Sequence, residues 1–118
     1  GASVHVTGHL SRENVPAQLT KADVHVVPSR WEEPCALSLL EGMAAGLAVV
    51  ASRTGGTPEI LGEAGYLFSK ESVDELTTHL RRLIADDALR FTMATRARQR
   101  AQYFSWQKCW DEFSKILF

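Results

Sequence analysis

PSRWEEPCALSLLEGMAAG, residues Pro28 to Gly46, is the stretch from which the fold can be read. Just before it, Val24-His25-Val26-Val27 is a β-branched run. Pro28 stops that run, because proline has no N–H for a sheet ladder. A tight loop follows, and Leu37 to Ala45 then reads as an apolar, alanine-rich helix. Gly46 stands where helices favour glycine, just past the end. Leu47-Ala48-Val49-Val50-Ala51 comes at once and is almost continuously apolar, as in a strand buried on both faces. Strand, loop, helix and strand in so short a span predict α/β architecture with a parallel sheet.

The flanks extend the same alternation. Towards the N-terminus, Ser3-Val4-His5-Val6-Thr7 reads as a strand ending at Gly8, and a short helix follows from about Asn14 to Lys21, with Val15, Leu19 and Ala22 on one face. Towards the C-terminus, Thr57-Pro58-Glu59 opens a short helix that Gly62 ends. Thr57 is the expected cap, and Pro58 suits the first helical position. Gly65-Tyr66-Leu67-Phe68 reads as a last, short strand. Ser72-Val73-Asp74-Glu75 has the form of a capping box, so a helix is predicted from Val73, with Val73, Leu76, Leu80, Leu83 and Ile84 as its apolar face. Asp86-Asp87 starts another, with Leu89, Met93, Ala97 and Ala101 inward. Ser105 caps a third, which carries Trp106, Cys109, Trp110, Phe113, Ile116 and Leu117 on one stripe.

Composition narrows the function classes. The 118 residues amount to one domain's worth of chain, 45% apolar and 23% charged, which is an ordinary globular balance. A net charge of −1 gives no general basic excess for nucleic acid, so no nucleic-acid partner is expected. No apolar run approaches bilayer length. Cys35 and Cys109 suggest no disulfide framework, so a reducing, cytoplasmic setting is expected. His5, His9, His25 and His79 have no metal-ligand spacing, and no metal is assigned.

Chemistry is expected where the Pro28–Gly46 loop meets its helix, because open α/β sheets bind ligands at the carboxyl ends of their strands. The amides of Cys35, Ala36 and Leu37 are read as the helix's first turn. They lack partners and sit at the positive end of the helix dipole, which suits a phosphate or a sugar hydroxyl. Glu33 precedes the helix and Glu41 lies one turn inside it, with seven residues between them. Taken singly, an acid near a helix start or in a helix body is usually a solvated surface residue. Glu41, however, sits in a run that otherwise reads as buried, where an acid needs a partner, and ligand hydroxyls can provide one.

Glu33 and Glu41, set in EPCALSLLEGMAAGLAVVAS, are similar to the E-x7-E signature of GT-B retaining glycosyltransferases of the family-4 kind (glycosyl transferases group 1). The likeness continues back through ADVHVVPSRWE and forward through GGTPEI and GYLF, from Val4 to about Ile116. The resemblance implies a Rossmann-like parallel sheet with C-terminal helices, part of the C-terminal donor-binding domain of the GT-B fold. It implies a nucleoside-diphosphate sugar as donor, such as a UDP- or GDP-hexose, and retaining transfer of the hexosyl group to a lipid, glycan or small-molecule acceptor. Glu33 is then the catalytic-site acid on the donor sugar, and Glu41 binds the ribose. The backbone of Cys35, Ala36 and Leu37 holds the sugar and diphosphate, and His9 and Leu10 form the wall against the base. No cofactor is implied.

The same resemblance implies that residues 1–118 begin at that domain's third strand. Its first two strand–helix units, with an Arg and a Lys for the diphosphate, and the N-terminal acceptor domain would lie outside. By itself the chain is therefore expected to be inactive, and residues 105–118 are expected to form a helix that packs on the other domain. Ala36 departs from the family's usual glycine, and Trp31 is unusually bulky. The helical basic stretch Arg90, Arg96, Arg98 and Arg100 reads first as a solvated face; as a site it implies peripheral contact with anionic lipid at the inner face of the membrane. Two alternatives stay open: a non-catalytic binding or interaction module on the same fold, and a nucleotide-sugar epimerase or phosphorylase relative.

Overall fold

The computed structural model describes residues 3–117. Helix α1 (Val15–Leu19) leads into strand β1 (Val24–Val27), then α2 (Leu37–Ala44), β2 (Ala48–Ser52), α3 (Thr57–Leu61) and β3 (Tyr66–Phe68). Helices α4 (Val73–Ala85) and α5 (Asp87–Ala101), a 3-10 turn (Gln102–Phe104) and α6 (Trp106–Leu117) complete the chain. The three strands are parallel in the order β1-β2-β3, with Val24 opposite Ala48 and Val50 opposite Tyr66. This is the expected α/β, Rossmann-like parallel sheet with C-terminal helices.

β2 is the keel. All five of its residues are buried, and their alternation feeds two layers. Val49 and Ala51 pack with Leu39 and Met43 of α2, Ile60 and Leu61 of α3, and Ala97 of α5. Ala48 and Val50 pack with Phe68, Leu83 of α4 and Met93 of α5. Leu39, Met43, Leu61 and Leu83 are each fully enclosed, and burial of such a side chain stabilises by roughly 2 kcal/mol. Gly46 closes α2 at φ 74°, the left-handed conformation its sequence position predicted.

Four expectations are corrected. Ser3–Thr7 is not a strand: it forms no ladder, and Val4 and Val6 are 90% and 84% exposed. A strand exists only with a partner for its amides. The resemblance implies the strand order 3-2-1-4-5-6, in which the third strand, read at Ser3–Thr7, is not a neighbour of the fourth, Val24–Val27. Thr57 is not the cap of α3; that place belongs to Gly56, and Thr57 is buried in the first turn. Of the Ser72–Glu75 capping box only half forms. Ser72 Oγ accepts from the Glu75 amide at 3.3 Å, while the Glu75 carboxylate reaches back to the Ser69 amide and hydroxyl. On α4 the core takes Leu83, with Leu76 and Leu80 packed against it, whereas Val73 and Ile84 are 72% and 69% exposed at the two ends of the helix.

Two of the arginines in the basic stretch close helix ends. Arg90 Nη1 donates to the Leu83 carbonyl at 2.9 Å, and Arg100 Nε donates to Ile60 O at 3.0 Å. These are the carboxyl ends of α4 and α3, where a cation meets the negative end of the helix dipole. Arg96 and Arg98 remain exposed. Ser105 Oγ caps α6 on the Lys108 amide at 3.2 Å, as expected. Among the described residues, none covers the apolar stripe of α6: Trp106 is 90% exposed and Ile116 83%.

Candidate functional site

The loops after β1, β2 and β3 leave the sheet on the same side and are tied to one another. Ser52 Oγ, at the end of β2, donates to the Ser29 carbonyl at 2.6 Å. Arg30 bonds Glu71 at 2.7 Å through Nε. The Glu32 carboxylate accepts from the Gly55 amide at 2.5 Å and from Lys70 Nζ at 3.3 Å. The Gly55 N–H first, and Lys70 second, hold Glu32 below the usual carboxylate range. The Gly56 amide donates to the Glu33 carbonyl at 2.8 Å. Gly55 has φ 48°, and a Cβ there would overlap the Glu33 backbone, so glycine is required on both counts.

Helix α2 opens against this junction without a side-chain cap. Ala36 is the N-cap residue, at φ −83° and ψ 110°, and its carbonyl takes the amides of Leu39 and Leu40. The helix therefore starts at Leu37. Cys35 and Ala36 precede the first turn rather than belonging to it, and Ser38 joins Leu37 there. Among the described residues, none accepts from the amides of Cys35, Ala36, Leu37 or Ser38. The methyl of Ala36 is accommodated, since φ is negative and the side chain is buried under the sheet's core.

The two acids stand differently from the sequence expectation. Glu41 is exposed, while Leu39, Gly42 and Met43 around it are buried. The 3.6-residue period explains this: Leu39 and Met43 are four apart and share the inner face, and Glu41 lies halfway round. Glu41 borders a cleft of about 400 Å³ with Arg12, Val15, Pro16, Leu19 and Thr20. Glu33 is half-buried in the loop. Cys35 and Leu40 border a second cleft, of about 690 Å³, against Tyr103, Phe104 and Cys109. Cys35 and Glu41 thus border different clefts, Glu33 lines neither, and the Glu41 cleft extends to Ala44 and Ala45 at the carboxyl end of α2. His9 is exposed and Leu10 half-buried in irregular chain, and they line neither cleft.

Some residues at the site carried little signal in the sequence. Arg12 reaches the Glu41 cleft only because α1 folds beside α2. His25 reads as a plain strand residue, yet its Nε2 bonds the Ser38 carbonyl at 2.9 Å, in the first turn of α2. Its ring lies where a Cβ on Gly42 would be. A glycine inside a helical apolar run was the available signal, since such glycines mark close approach. Both cysteines are free and exposed. No helix among the described residues is long and apolar enough to cross a membrane.

Comparison with known proteins bears on the family and the fold. Residues 1–100 match the family described as Glycosyl transferases group 1. The sulfoquinovosyl transferase of Arabidopsis thaliana is 35% identical over 106 residues, covering 86% of this chain and 21% of the relative. The MMP α-(1→4)-mannosyltransferase of Mycolicibacterium hassiacum is 39% identical over 108 residues, covering 88% of this chain and 26% of the relative. Among solved structures, Anabaena HepE in complex with UDP superimposes with a TM-score of 0.82 at 26% identity, over 90% of this chain and 30% of that one. Sucrose-phosphate synthase from Thermosynechococcus elongatus gives 0.82 at 31%, over 94% and 28%. The chain thus spans roughly a quarter of the length of these proteins. On its sequence, its parallel sheet and the likeness of both to these transferases, the chain belongs to the glycosyl transferases group 1 family.

Proposed function

We propose that this chain is the donor-binding part of a GT-B glycosyltransferase of the family-4 kind, one that moves a hexosyl group from a nucleoside diphosphate to an acceptor with retention at the anomeric carbon. The observation that carries this is the uncapped opening of α2. Four neighbouring amides have no acceptor there among the described residues, one acid stands before the helix and one stands a turn inside it. Amides at the positive end of a helix bind a diphosphate, and fixed N–H donors stabilise the charge that grows on a leaving phosphate. Glu33 meets the donor sugar, Glu41 the ribose, and His9 and Leu10 the base. That the Anabaena neighbour was solved in complex with UDP supports a nucleotide as part of the ligand.

In this reading the rest of a longer protein supplies the acceptor side, covers the apolar face of α6 and adds the cations that the diphosphate needs. The enzyme is cytoplasmic, and the exposed Arg96 and Arg98 can meet an anionic membrane surface. Calorimetric titration of the full polypeptide with UDP-glucose and GDP-mannose tests the assignment. One of the two is expected to bind, and Glu41→Ala is expected to weaken it by about tenfold, the loss of a charge-assisted hydrogen bond or two to a ribose. Absence of binding to either sugar nucleotide, with the fold intact, would favour the non-catalytic module instead.

A further inference from the structure

Glu32 and Glu33 are adjacent acids, but the structure treats them differently. One Glu32 oxygen takes the Gly55 amide and the other takes Lys70 Nζ. The Glu33 side chain has no hydrogen-bond partner among the described residues, while its backbone carbonyl takes the Gly56 amide. Two consecutive amides of one turn thus hold two consecutive residues of the acidic loop. The seat for that loop is bare backbone: a Cβ on Gly55 would overlap Glu33, and one on Gly56 would overlap the Pro34 carbonyl. Arg30 and Glu71 add a tie to the loop after β3.

We propose that Glu32 is a positioning residue: by accepting from the Gly55 amide and Lys70 it latches the acidic loop onto the loops after β2 and β3, and so fixes Glu33 and Pro34 at the mouth of α2. This rests on the reading of that mouth as a donor site, and it extends that reading to residues the E-x7-E pattern does not include. The ion pair with Lys70 is a minor part, because Glu32 and Lys70 are 65% and 42% exposed and water screens such pairs. The amide bond is the directional part. It is charge-assisted, and it joins segments 23 residues apart in sequence. The depressed Glu32 pKa agrees with it, since an N–H donor favours the ionised carboxylate. A loop fixed in this way presents Glu33 without first having to be ordered by the ligand, which lowers the entropy lost on binding.

Two readouts test the latch. In ¹⁵N NMR spectra, the Gly55 amide of the parent protein should shift as pH falls through the acid range, and the same amide in Glu32→Gln should not follow that titration. In calorimetry with UDP-glucose and GDP-mannose, Glu32→Ala should weaken the binding of whichever donor is bound about tenfold with little change in Tm. Glu32→Gln, which retains an acceptor oxygen, should recover most of the loss. A Gly55 amide indifferent to Glu32→Gln overturns the latch, and so does parent-like affinity in Glu32→Ala. If the parent binds neither sugar nucleotide, the proposed function fails by itself, and the Gly55 signal alone decides whether the latch exists.

Discussion

Gly42→Ala should destabilise this protein, although the substitution normally favours a helix. Gly42 lies inside α2 with a negative φ, so alanine there gains about 1 kcal/mol in helix propensity. Against this, the new methyl would occupy the place of the His25 ring. The ring must leave, and its Nε2–H bond to the Ser38 carbonyl goes with it, at a cost of about 1 kcal/mol. Displacing a packed but only half-buried ring adds roughly 1–2 kcal/mol, the lower part of the overpacking range. The net loss is about 1–2 kcal/mol, or roughly 4–8 °C in Tm for a domain of this size. In a His25→Ala background the obstacle is gone and only the propensity gain remains, so Gly42→Ala should there stabilise by about 1 kcal/mol. The coupling is then about 2–3 kcal/mol, at the upper end for residues in contact. Urea and thermal unfolding of the four proteins measures it. An increase in Tm from Gly42→Ala in both backgrounds would refute the reasoning.

Other consequences are open to measurement. Thr54 Oγ1 is buried without a hydrogen-bond partner among the described residues, so Thr54→Val, which keeps the shape and removes the hydroxyl, should leave Tm unchanged or raise it by up to about 1–3 kcal/mol equivalent; a marked fall would show that the hydroxyl is bonded. Glu75 is held below the usual carboxylate range by the Ser69 amide first and the Ser69 hydroxyl next. Because the folded value is the lower one, its stabilisation is present above the ordinary carboxylate value and is lost as pH falls through the depressed one. The decline of Tm in acid should therefore be shallower in Glu75→Gln, and an unchanged slope would count against the bond. Trp110 and Phe113 are 56% and 50% exposed on α6. Replacing both by Ser should reduce concentration-dependent association in sedimentation velocity and cost little stability; a monomeric parent at all concentrations would contradict this.

Much of the fold was written locally. The Val24–Val27 run is β-branched enough to be read as a strand, the nearly continuous apolar run of β2 as a central one, and Gly46 marks the helix end between them. What could not be read depends on distant pairing. Val4 and Val6 have the pattern of a strand, but pattern alone supplies no ladder. At α3 the choice between Gly56 and Thr57 as cap depends on Thr57 being drawn into the core. The site divides in the same way. Glu33 and Glu41 stand out in sequence because of their spacing and setting. The direction of Glu41, the company of Arg12 and the attachment of Glu32 to Gly55 and Lys70 follow from how three loops and two helices converge. Adjacent acids of identical composition cannot be told apart until the turn that binds one of them is in place.

Helix α2 begins on an alanine whose side chain offers no oxygen to the amides above it. A serine or aspartate at such a place typically adds about 1 kcal/mol of stability. The fold therefore rests below the stability its own backbone would allow, and on the proposed function the donor's phosphate is what provides that increment. Any molecule that docks its phosphate there acts as the missing cap, so occupancy and melting temperature should rise together. Mutations that complete the cap from within would harden the protein and, on that proposal, compete with the donor.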